Sequence, residues 1–338
     1  MSIFRGTLKF CILIFCFFIL TYCGNSGNGK IKIGFLFPNL KADRFIKEQA
    51  AFVNKITQLG AQPIVANANY DDKVQIGQAN DMIKQGVKVL LVNSVNTTTA
   101  AMIVRDAHLA HVKVIAYDRL IQNSDPDYYL SFDNVEVGRL IANAALLAKP
   151  TGNYILLNGD KGDRNAVFVK TGILEVLDPM IKAGKINIMY DVFVEDWSGE
   201  NAYHDVRSIL DLTDVKPDAI LSSYDGLSDG ATKALAEDGL SSKVFVTGQD
   251  AELQACRRIV AGTQGMTVYK SVTKLAEYAA ELSFKIAKGE AISDVKSHIN
   301  NGRLEIPSIL LKPQAVDISN LKNTVIADKF YKEDEIFK

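Results

Sequence analysis

An α/β protein with open, doubly wound parallel sheets is what this sequence predicts, on three observations. Short apolar runs alternate with longer helical patterns, glycines close the helical patterns, and polar residues stand at the carboxyl ends of the apolar runs. The runs at 31–37, 63–66, 87–92, 112–117, 154–158, 186–194, 219–222, 243–247 and 266–269 are mostly solidly apolar. Strands buried on both faces read that way, whereas half-exposed strands alternate. Between them apolar residues recur at three-to-four spacing, as in Phe45, Phe52, Ile56 and Leu59, then Ile76, Ala79, Met82 and Ile83, then Ala100, Ile103, Val104 and Ala107. Gly60, Gly86, Gly184, Gly239 and Gly289 each follow such a pattern, where a left-handed helix end suits glycine. Repeated β-α units with this punctuation build doubly wound sheets. No fixed-period repeat marks a solenoid.

The chain's 338 residues exceed what one small core accommodates, so two domains are expected. Net charge is −1 with Lys and Arg scattered, which excludes the basic footprint of a nucleic-acid-binding protein. The amino-terminal segment differs in kind. Arg5 and Lys9 precede an apolar run at 10–20, short for a membrane span and suited to a signal peptide over 1–22. Residues 20–23 (Leu-Thr-Tyr-Cys) resemble a bacterial lipobox, with Tyr22 where a small residue is usual, so Cys23 is the expected lipid-bearing residue. A glycine- and asparagine-rich tether completes 23–29. Once Cys11 and Cys16 leave with the signal, Cys256 stands alone in the mature domain, which excludes an internal disulfide.

The functional signal lies at the strand ends. Asn93, Asp118, Asp160, Asp196, Asp225 and Asp250 follow successive strands, and ligands of open α/β sheets bind beyond those carboxyl edges. Two such sheets facing each other would enclose a cleft lined with carboxylates and amides. The alternative is that these residues cap the next helix. No glycine-rich phosphate loop or nucleophile elbow is present, so no cofactor is expected. His108 and His111 stand three apart on a helix without a convincing metal-ligand pattern, so no metal is expected.

The segments AYDR (116–119), YLSFDN (129–134), VTGQDA (246–251) and AGTQGMTVYK (261–270) resemble periplasmic pentose- and hexose-binding proteins of type I fold, nearest to the D-xylose-binding members that serve bacterial ABC importers. The resemblance spans about 30–313. It implies two doubly wound parallel-sheet lobes joined by three hinge strands, one of 30–132 plus 270–302, the other of 133–269 plus 303–338. By matching positions it implies that Arg44, Asp118, Arg119, Asn165, Asp250 and Lys270 bind sugar hydroxyls and that Trp197 stacks on the sugar's carbon face. Carboxylates, guanidinium and amide groups suit hydroxyls, and an indole suits a C–H face. The chain departs from the family at Phe45, where a second stacking Trp is usual, at Tyr224, often Asn, and at Lys170, an Arg in near relatives. The implied role is a monomeric, exported, non-enzymatic binding protein outside the cytoplasm, anchored to the membrane by lipid. It would deliver a monosaccharide, D-xylose or a related pentose or hexose, to an ABC permease and its ATPase. A sugar sensor serving a chemoreceptor or kinase is the alternative. A repressor of the same fold is opposed by the export signal. A glycoside hydrolase using Asp118 and Asp250 is opposed by the lack of a second substrate subsite.

Overall fold

The computed structural model describes residues 29–40 and 43–337. The signal segment and Cys23 therefore lie outside the described residues, and so do Cys11 and Cys16. The chain runs β1 (Lys32–Phe37), α1 (Asp43–Gln58), β2 (Gln62–Asn67), α2 (Asp72–Lys84), β3 (Val89–Val92), α3 (Ala101–Leu109), β4 (Lys113–Tyr117) and β5 (Tyr128–Phe132). It continues through α4 (Asn134–Ala148), β6 (Gly152–Asn158), α5 (Arg164–Lys182), β7 (Ile186–Phe193), α6 (Gly199–Leu212), β8 (Ala219–Ser222), α7 (Asp225–Glu237), β9 (Phe245–Val246), α8 (Leu253–Ala261) and β10 (Thr267–Tyr269). The last elements are α9 (Val272–Ala287), β11 (Ser297–Asn300), β12 (Glu305–Leu311), β13 (Gln314–Val316) and a short α10 (Glu333–Ile336).

Every strand expected from an apolar run is present, with ends displaced by at most two residues. The five expected helix-closing glycines all have positive φ, between 63° and 84°, where a Cβ would be strained. Strands β5, β11, β12 and β13 were not among the apolar runs. β11 alternates half-buried and exposed residues, β12 carries Pro307, and β13 is only three residues long.

The first sheet has seven strands in the order β11-β12-β5-β4-β3-β1-β2, parallel except for the edge strand β11. Its two faces are separately filled. Phe35, Phe37, Leu91 and Ile115 pack with α1 and α9, while Leu36, Leu90, Val92 and Val114 pack with α2 and α3. Alternate residues of the same strands supply both cores, which is why the runs read as solidly apolar.

The second sheet runs β7-β6-β8-β9, all parallel, and a bridge from Gln249 to Val268 sets β10, paired with β13, beside it. Tyr154 and Leu156 pack under α4 and α5, and Ile155 and Leu157 under α6 and α7. Gly138 and Gly172 let α4 and α5 touch backbone to backbone: a Cβ on Gly172 would stand 1.9 Å from the Val135 carbonyl oxygen.

The chain passes between the two sheets three times, after β5, after β10 and between β12 and β13. One boundary differs from the sequence division at 302/303. β12 pairs with β5 in the first sheet, and Leu321, Val325, Phe330 and Tyr331 share the core of α1 and α9. Within 303–338, β13 pairs with β10, and α10 packs on α8, where Arg257 Nε donates to the Glu335 carbonyl oxygen at 2.8 Å. Sequence patterning shows that a strand exists; which sheet accepts it is decided by a partner far away in the chain.

Candidate functional site

In the first sheet the winding reverses about β1, between β3 and β2, the kind of point beyond whose strand ends open α/β sheets bind ligands. The same reversal occurs about β6 in the second sheet. The segments leaving β1, β3 and β4 on one side, and β6, β7, β8 and β9 on the other, carry the candidate residues.

Arg44, in the first turn of α1, joins the two sides. Its Nε donates to Glu48 Oε1 at 2.9 Å and its Nη2 donates to Asp118 Oδ2 at 3.1 Å. Its Nη1 lies 3.6 Å from Asp250 Oδ2, which belongs to the segment leaving β9. Asp250 in turn meets Lys270 Nζ at 2.9 Å, on the crossing from β10 to α9, where Lys270 is 4% exposed. Burial pushes the Asp118 carboxyl up, but Arg44, Lys270 and Arg119 outweigh it and hold the group below the usual carboxylate range. Asp118 and Asp250 have φ of 62° and 91°, in the region that non-glycine residues rarely enter. The strain at Asp118 is held by hydrogen bonds to its carbonyl oxygen from the Tyr129 hydroxyl, Ser131 Oγ and Asn165 Nδ2, at 2.9–3.1 Å.

Arg119 makes a second link between the sides. Its Nη1 donates to the Ser94 carbonyl oxygen at 3.1 Å, and its Nε lies 3.3 Å from Asp163 Oδ2. Asp163 is the N-cap of α5, accepting from the Asn165 backbone N–H at 2.9 Å. Asn165 is largely committed to protein: beyond the bond to Asp118, its Oδ1 accepts from Asn134 Nδ2 and lies 3.3 Å from the Tyr129 hydroxyl oxygen. Asn93, buried at the end of β3, has neither side-chain polar atom partnered.

On the second side Trp197 follows β7 in a turn with φ of 57° at Asp196 and 54° at Trp197. Its six-membered ring lies against Gly159, where a Cβ would come within 2.0–2.2 Å of the ring atoms. Tyr224 meets the indole edge to face at 6.0 Å, and its hydroxyl donates to Glu252 at 2.5 Å. Burial and the Glu252 charge push the Tyr224 hydroxyl up, and Glu252 is itself raised, first by burial and then by Asp250. Beneath them Asp225, fully buried, accepts from Gln264 Nε2, Thr267 Oγ1 and the Glu252 backbone N–H at 2.8–2.9 Å. Burial, then the neighbouring Glu252, raise its carboxyl to about 8.

The structure thus gathers Arg44, Asp118, Asp250 and Lys270 into one charged network, with Arg119 and Asn165 attached and Trp197 and Tyr224 facing each other. Phe45 is buried against Phe37, beneath the Arg44 guanidinium at 5.1 Å. Lys170 turns to Asp191 at 2.7 Å and the Phe193 ring, away from these residues. None of the strand-end residues Asn93, Asp118, Asp160, Asp196, Asp225 and Asp250 is a helix N-cap; Asp71, Asp133, Asp163 and Ser198 take that role with side-chain bonds. Asp160 instead binds the backbone N–H groups of Gly162 and Asp196 in its loop. Sequence reasoning missed Glu48, Asp163, Gly159 and Glu252. Of these only Glu48 carried a readable signal, its i+4 spacing from Arg44 on a helical pattern.

Comparison with known proteins places this geometry. The family model described as "Periplasmic binding protein domain" matches residues 33–291. The D-xylose-binding periplasmic protein of Haemophilus influenzae is 41% identical, over 94% of this chain and 96% of its own. That of Escherichia coli is 40% identical, over 91% and 93%. A carbohydrate transporter solute binding protein from Chloroflexus aurantiacus, in complex with D-glucose, superposes with a TM-score of 0.82 at 27% identity, covering 90% of this chain and 97% of its own. With two doubly wound sheets, three crossings and these relatives along nearly its whole length, the chain belongs to the periplasmic binding protein family and has its type I fold.

Proposed function

We propose that this chain is the substrate-binding lipoprotein of a sugar ABC importer, exported and held at a membrane surface by a lipidated Cys23. It traps one monosaccharide, D-xylose first among the candidates, and presents it to the permease without altering it. The observation that carries this reading is the position of Arg44, 3.1 Å from Asp118 on its own side and 3.6 Å from Asp250 on the other. Charged donors and acceptors from two sheets meet there, the chemistry that polyhydroxylated ligands require. Carboxylates of Asp118 and Asp250 accept hydroxyl hydrogens, Arg44, Arg119 and Lys270 donate, and Asn165 offers its remaining amide hydrogen. Trp197 and Tyr224 supply aromatic surface for the sugar's C–H face. Phe45 contributes as the floor beneath Arg44. The lobes close about the three crossings, and the permease recognises the closed form.

Calorimetric titration against a panel of pentoses and hexoses tests the reading. One sugar per chain should bind, with D-xylose among the tightest, and should be recovered chemically unchanged. Absence of heat with every sugar, or a converted product, would overturn it.

A further inference from the structure

Glu48 sits at the middle of the charged network, yet it is fully buried and reaches no ligand-facing surface of its own. Its contacts to Arg44 are specific. Oε1 takes the Nε hydrogen at 2.9 Å and lies 2.9 Å from Nη2, while Asp118 takes a hydrogen of Nη2 at 3.1 Å. A guanidinium has five N–H donors in a rigid plane. Once its Nε–Nη2 edge is engaged by Glu48 and Asp118, the Nη1 pair is left, directed to the far side of the cleft where Asp250 stands at 3.6 Å. That spacing is an ion-pair contact and leaves the Nη1 hydrogens available to a bound hydroxyl.

We propose that Glu48 is a positioning residue for ligand binding: it clamps the Nε–Nη2 edge of Arg44 so that the Nη1 donors face the sugar. This rests on the sugar-binding reading above. A one-edge clamp matters because an arginine side chain has many rotamers, and ordering them before binding avoids that cost at the moment of binding. Asp118 alone does not define the plane, since it meets the guanidinium at a single nitrogen. The groups facing Glu48 are Arg44 on its own helix, Asp118 after β4 and the Tyr117 hydroxyl at the end of β4. Burial pushes the Glu48 carboxyl up to about 7 against the pull of Arg44, so the clamp changes charge near neutral pH. The ionised form makes the stronger, charge-assisted bonds.

Titration calorimetry with D-xylose on wild type, Glu48→Leu and Glu48→Gln provides the test. Glu48→Leu should weaken binding about tenfold or more, while Glu48→Gln, which keeps a carbonyl acceptor for Arg44, should stay within about threefold. Wild-type affinity should rise from about pH 6 to about pH 8, and Glu48→Gln should show a shallower profile across that range, keeping only what Asp225 and Glu252 contribute. If Glu48→Leu fails to fold, the Glu48→Gln profile decides alone. Wild-type affinity in Glu48→Leu, or an unchanged pH profile in Glu48→Gln, would overturn the proposal and leave the sugar reading standing. Silence of the wild type toward every sugar would instead remove that reading, and the proposal with it.

Discussion

Backbone strain and buried charge coincide at single residues in this cleft. Asp118 and Asp250 both occupy left-handed backbone, which costs on the order of 1–3 kcal/mol apiece and persists only where surrounding bonds enforce it. Their carboxylates were legible from sequence as strand-end residues, because chain position alone places a strand's last residue at the crevice. Glu48 and Asp225 were not legible as buried acids, since burial is a property of neighbours far apart in sequence. Both have folded-state carboxyl groups raised by burial, to about 7 and about 8. The folded protein therefore holds protons that the unfolded chain releases, and stability falls as pH rises from about 5 to about 8. Asp225→Asn should remove one proton's worth of that slope in urea unfolding measured across the interval. An identical slope in the variant would show that Asp225 does not titrate there.

At the scale of elements, the helix starts show how sequence and fold divide the work. Asp71, Asp133 and Ser198 are plain N-caps, and each meets only its own helix among its side-chain hydrogen bonds. Asp163 caps α5 and also pairs with Arg119 from the other side, so one carboxylate serves both the element and a contact between the two sides. Asp163→Ala should lower unfolding stability by about 1–2 kcal/mol, whereas Asp163→Asn, which also caps well, should recover most of it. Chemical denaturation of the sugar-free protein checks this, and equal losses in both variants would assign the effect to the ion pair instead. The strands divide similarly. Solidly apolar runs were legible, whereas β11 alternates half-buried with exposed residues, β12 carries a proline and β13 is only three residues long. Strand β5 (Tyr-Tyr-Leu-Ser-Phe) has a serine inside its apolar run although it is buried in the sheet.

Across the whole molecule, Arg44 to Asp250 and Arg119 to Asp163 join segments of the two sheets, and each pair is partly buried. Removing one partner would strand the other's charge between the two sheets, so under the proposed function lobe closure and ligand binding would depend on the same residues. The proposed anchor sets where that machinery works. If Cys23 carries the lipid, Cys23→Ala should move the protein from the membrane to the soluble fraction of fractionated cells. A single acyl chain binds only marginally, so firm attachment needs more than one. Retention of the variant at the membrane would point to the apolar segment at 10–20 as the anchor. The sequence by itself determined the sheet class, the positions of the apolar strands and the polar residues at their carboxyl ends, because each follows from local periodicity, composition or chain direction. Only the tertiary structure decided that β12 pairs in the first sheet, that Phe45 lies buried beneath Arg44 while Lys170 turns away, and that Glu48 and Asp163 join the charged network. The pairings of β12 with β5 and of Arg119 with Asp163 span tens to hundreds of positions, which no local pattern encodes, whereas the Arg44–Glu48 spacing was readable and only its burial was not.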